Sequence, residues 1–86
     1  MKWMNTIVLA GALAAVITLP ASARVTSADC SALAAKVSAA VRAHSDSPNI
    51  TAAKGEQMSG AYYCGLGSYA KGVEHFNNAL TLLDVQ

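Results

Sequence analysis

The side chains able to do chemistry are few: two cysteines, two histidines and five carboxylates. His44 falls at the end of a helical pattern, where a cation suits the negative pole of the helix dipole. Glu74 and His75 are neighbours on another helical pattern. They point about 100° apart, so they form no preset acid–base pair. The chain has no His-Glu-x-x-His, no Cys-x-x-Cys, no phosphate-binding glycine loop and no nucleophile elbow. Asp46-Ser47-Pro48-Asn49 lacks the acidic ladder and closing Glu of a calcium loop. The expectation is a protein with no catalytic residues and no cofactor. The alternative is a small metal-ion carrier or sensor. It would use His44 with Asp46, or Glu74, His75 and Asp84, with the ligand set completed across a homodimer because one copy offers few oxygen ligands together.

The elements that position these residues start after a leader. Met1 to Asn5 form a short segment with one cation, Lys2. Residues 6–19 are apolar and uncharged, Pro20 breaks the run, and Ala21-Ser22-Ala23 offers small residues at a cleavage site. The run is shorter than the roughly 20 residues of a membrane anchor. The expected mature chain is residues 24–86, periplasmic or secreted, with no stable membrane insertion. Its five cations (Arg24, Lys36, Arg42, Lys54, Lys71) balance its five anions (Asp29, Asp46, Glu56, Glu74, Asp84). A neutral, evenly mixed surface argues against nucleic acid and anionic lipid, which select basic patches.

The remaining chain is short and alanine-rich, so its core is lean and a staple is expected. Cys30 and Cys64 supply one. In an exported chain an even cysteine pair reads first as a disulfide, with two buried thiols as the alternative. The two positions are equidistant from Ser47, in the turn-like stretch His44-Ser-Asp-Ser-Pro-Asn49. Antiparallel helices folded about that turn would place Cys30 beside Cys64.

Three helices are predicted. The first covers residues 28–43, capped by Ser27 or Asp29, with Cys30, Leu33, Val37, Val41 and His44 on its apolar stripe. The second starts at Ser47-Pro48 and runs to about Gly65, with Ile50, Ala53, Met58, Ala61, Tyr62 and Cys64 on the buried side. Gly55 and Gly60 inside it point to close helix approach. Gly65-Leu66-Gly67 stops it. The third, residues 69–83, is capped by Ser68 and carries Tyr69, Gly72, Val73, Phe76, Ala79, Leu80 and Leu83 on one face.

Gly60-x-x-Tyr63-x-x-x-Gly67-x-Tyr69-x-x-Gly72-x-x-x-Phe76-x-x-Ala79-Leu80 resembles one tetratricopeptide repeat. The resemblance covers about residues 53–84. It departs at Glu56 and Ser59, where that family has Trp and Leu, at Gly72, where it has Ala, and at Asp84, where it has Pro. It implies a tight helical hairpin with a short version of the concave binding surface of such repeats. The whole chain also resembles small exported proteins of unknown function in Gram-negative bacteria. The expected fold is all-α: a disulfide-stapled helical hairpin plus a third helix, tetratricopeptide-like. The expected function is a binding or protein-interaction module for an unidentified protein or peptide. Tyr62 or Tyr69 is expected at the contact surface, and Tyr63 and Phe76 in the core.

Overall fold

The computed structural model describes residues 24–85. The expected leader, residues 1–23, lies outside the described residues. Three helices follow one another: α1 (Ser27–Ala43), α2 (Ile50–Gly65) and α3 (Tyr69–Leu82). They form a small all-α bundle in which α2 and α3 make an antiparallel hairpin and α1 packs against both.

Each helix end has a local cause. Thr26, not Ser27 or Asp29, caps α1. Its extended backbone (φ −124°, ψ 175°) turns the hydroxyl toward the Asp29 amide, which donates to it at 3.4 Å. The Asp29 carboxylate returns the contact, accepting from the Thr26 amide at 2.9 Å. Thr26-x-x-Asp29 is therefore a capping box.

The α1–α2 turn corrects a second expectation. Ser47-Pro48 belongs to the turn, and α2 begins at Ile50. The Ser47 hydroxyl accepts from the Asn49 amide at 3.1 Å, and the Ile50 amide donates to the Ser47 carbonyl at 3.1 Å. This tight turn holds Pro48 outside the helix. Asn49 precedes α2 without a side-chain cap bond; its amide group donates to the Leu82 carbonyl at 3.1 Å and ties the start of α2 to the end of α3.

The α2–α3 turn closes on Gly67, whose φ of +84° is open to glycine at little cost. The Ser68 amide donates to the Tyr63 carbonyl at 2.9 Å and the Gly67 amide to the Cys64 carbonyl at 3.1 Å, the two bonds of a Schellman stop. The same pair of bonds ends α3, from Val85 to Leu80 and from Asp84 to Thr81. There the left-handed position is Asp84, at φ +58°. A proline, as in the tetratricopeptide pattern, can adopt neither that φ nor the amide bond.

Val37, Ala40, Ala53, Phe76, Ala79, Leu80 and Leu83 form the core. Three of these seven are alanine, and close backbone approach between α2 and α3 complements the larger side chains. A Cβ on Gly60 would stand 2.6 Å from the Phe76 ring. A Cβ on Gly72 would collide with Cys64 Sγ and stand 2.9 Å from the Gly60 carbonyl oxygen. Cys30 and Cys64 are disulfide-bonded, with Cα atoms 6.2 Å apart, fixing the first turn of α1 to the last turn of α2.

The buried side of α2 is narrower than its apolar residues suggested. Ala53 and Gly60 are buried, and Ile50 and Cys64 are half-buried. Met58, Ala61 and Tyr62 are exposed. Helix geometry explains the difference: Met58 and Tyr62 lie roughly 140–180° around the helix from Ala53 and Gly60, which face the other two helices. His44 is likewise exposed, beyond the last turn of α1.

Candidate functional site

Met58, Tyr62 and Leu66 are 73%, 62% and 62% exposed. Their spacing of four residues aligns them as one ridge along the outer face of α2. Gly55 and Gly65 lie on the same outer side, and nothing approaches within 4 Å of where their Cβ atoms would be. The ridge therefore stands clear of α1 and α3.

An ordered side-chain strip borders the ridge where α2 meets α3. The Tyr62 ring meets the Tyr63 ring edge-on, with centroids 5.2 Å apart and planes at 77°. Tyr63 stacks on His75 at 5.4 Å with the planes 7° apart. Lys71 Nζ lies 4.9 Å from the Tyr63 ring centroid, a cation–π contact. His75 Nδ1 lies 2.7 Å from Glu56 Oε1. An ionised carboxylate only accepts, so this nitrogen carries the proton. The Asn78 side-chain amide also donates to Glu56, at 3.4 Å. The hydrogen bond from His75 holds the Glu56 carboxyl below its ordinary pKa of 4.5; partial burial opposes the shift, and Asn78 and the imidazole charge assist it.

Each residue singled out in the sequence has a definite place. Tyr62 is exposed on the ridge. Tyr69 is half-buried and lines a shallow, open depression with Val25, Gly67, Ser68, Ala70 and Lys71. Its carbonyl oxygen lies 3.7 Å from Cys30 Sγ, a contact without a hydrogen bond because a disulfide sulfur carries no proton. Phe76 is 2% exposed, as a core residue should be. Tyr63 is half-buried instead, its ring stacked on His75 and contacted by Lys71 near the closed end of the hairpin.

The carboxylates and histidines are spread out. His44 and Asp46 are exposed at the α1–α2 turn, Glu74 is exposed on α3, and Asp84 follows α3. His75 is engaged by Glu56 rather than by Glu74 or Asp84. Among the described residues, no three of His, Cys, Asp and Glu converge on one point.

The Glu56–His75 pair and the position of Lys71 were missed in the sequence. A signal was present: in a hairpin folded about residues 65–68, residues at similar distances on either side of the turn face each other. Gly60 meets Gly72, Tyr63 meets Lys71, and Glu56 meets His75 on that rule. No family model, curated protein or solved structure matches the chain.

Proposed function

We propose that this protein is a small exported helical interaction module with no catalytic activity, which presents the outer face of α2 to a protein or peptide. The observation that carries this reading is the exposed Met58–Tyr62–Leu66 ridge. In a chain with so few large apolar side chains, three are spent on one outward stripe, while Val37, Phe76, Leu80 and Leu83 share the core with three alanines. Tyrosine and methionine are enriched at protein interfaces, and Tyr62 is held in place by its edge contact with Tyr63. The disulfide supports export, since such bonds persist in oxidising compartments. The repeat-like pattern across α2 and α3 supports a scaffold whose helix face does the binding.

Comparative capture from an extract of the producing cell tests this reading. Wild-type protein and an Ala35→Ser variant, altered on exposed α1, should retain the same binding protein. Met58→Ser and Leu66→Ser should lose it while keeping the wild-type circular dichroism spectrum. Retention by both ridge variants would remove α2 as the binding face.

A further inference from the structure

The three helices meet at the disulfide. Cys30 lies in the first turn of α1 and Cys64 in the last turn of α2. Both sulfurs rest on the first turn of α3. Cys30 Sγ is 3.7 Å from the Tyr69 carbonyl oxygen, and Cys64 Sγ packs so closely on buried Gly72 that a Cβ there would collide with it. The sulfur pair is therefore a packing element common to all three helices as well as a crosslink between two. From this placement and the size of the core we infer that folding is gated by oxidation: with Cys30 and Cys64 as thiols the chain is predominantly unfolded, and closing the disulfide assembles the bundle. This stands apart from the reading of α2 as the binding face.

The start of α1 has little else to hold it. Within residues 27–36 Cys30 is the one buried residue, and the next, Val37, comes two turns later. The far end of α1 is joined to α2 through the short turn of residues 44–49. Loss of α1 would take Val37 and Ala40 from the core and leave the hairpin of α2 and α3, which is below the roughly 40 residues under which a chain rarely folds unaided. In a domain of this size the core supplies a stability comparable with that of one disulfide. Removing a link that spans 34 positions lowers the folded-to-unfolded ratio by about 10²–10³-fold, enough to cancel the core's contribution. The coupling is reciprocal: the factor by which the closed link favours the fold is the factor by which the fold favours closing the link.

The gating step is thiol–disulfide exchange with a small-molecule disulfide or a disulfide oxidoreductase. One cysteine thiolate attacks the reagent disulfide, forming a mixed disulfide and releasing one reagent thiolate. The second cysteine thiolate attacks the protein sulfur of that bond, closing Cys30–Cys64 and releasing the other. Two electrons pass to the reagent, and the two cysteine protons end on its thiols.

The test equilibrates the mature protein in glutathione buffers of graded thiol-to-disulfide ratio at about 37 °C. Alkylation and intact mass read the oxidised fraction, and circular dichroism reads helix in the same samples. The two curves should coincide, and the reduced chain should lose most of its helical signal. Because oxidation is coupled to folding, a core change far from the sulfurs should move the midpoint. Val37→Ala, which removes two buried methyl groups, should shift it about tenfold toward oxidising buffer. Gly55→Ala, with open space around it, should shift it up to about fivefold the other way. Cys30→Ser combined with Cys64→Ser should be unfolded without any reductant. A reduced chain that keeps the oxidised helical signal would overturn the inference, as would a midpoint that both Val37→Ala and Gly55→Ala leave in place, or a folded double serine variant. Hydrogen exchange showing α2 and α3 still protected in the reduced chain would also overturn it, confining the link's effect to α1.

Discussion

Phe76 packs directly against the bare backbone of Gly60, so closely that a methyl group there would stand 2.6 Å from two ring carbons. This contact joins α2 to α3 beneath the Glu56–His75 strip and sets the helix separation on which the exposed ridge depends. Gly60→Ala should gain about 1 kcal/mol in helix propensity and lose about 1–3 kcal/mol to overpacking, a net destabilisation. Gly55→Ala, with open space around it, should stabilise by up to about 1 kcal/mol. Urea unfolding of both variants checks the contrast; a stabilised Gly60→Ala would mean that the helices do not approach this closely.

Asp84 closes α3 in the left-handed region, with its amide bonded to the Thr81 carbonyl. A residue with a Cβ is strained there by roughly 1–2 kcal/mol relative to glycine, somewhat less for Asp. Asp84→Gly should therefore raise stability by about 1 kcal/mol, and Asp84→Pro should lower it. Thermal midpoints of the two variants read the sign directly.

Glu56 links stability to acid. Its folded pKa is depressed below the ordinary 4.5, chiefly by the hydrogen bond from His75. A depressed carboxyl contributes stability that is fully present above its unfolded pKa and is lost as pH falls through its folded value. The stability advantage of wild type over Glu56→Gln should be level above that carboxylate range and should shrink on acidification below 4.5. Denaturation of both proteins across that interval measures it. A gap that widens with acid would contradict the pairing.

The disulfide spans 34 residues of sequence and ties α1 to the hairpin at Cys64, whose sulfur sits against Gly72. On the chain-entropy model a link of this span is worth about 3–4 kcal/mol. In a domain this small, that corresponds to a fall in thermal midpoint of about 15 °C or more on reduction. Scanning calorimetry with and without a thiol reductant reads the shift, and non-reducing peptide mapping should recover Cys30 joined to Cys64.

Much of this fold was legible in the residues. Helical spacing located all three helices to within two residues at their ends, and the symmetry of Cys30 and Cys64 about Ser47 identified the staple. The inner face of α2 was harder to read. Hydrophobicity ranks Met58 and Tyr62 above Gly60, but a tight crossing selects for small volume, so the glycine is inside and the larger residues are outside. Thr26 was passed over although Thr-x-x-Asp is itself a capping signal. Glu56 and His75 are 19 positions apart, and only the hairpin register brings them within a hydrogen bond.

The claim that α2 presents the binding face is tested most directly by a photo-crosslinker scan in the producing cell. A photoreactive residue is placed in turn at exposed positions 51, 54, 55, 58, 61, 62, 65 and 66 of the α2 segment, with positions 35 on α1 and 77 on α3 as controls. The account predicts adducts to one partner that peak at 58, 62 and 66 and are minimal at 35 and 77. A yield that is uniform along the scan, or highest at either control position, would contradict it.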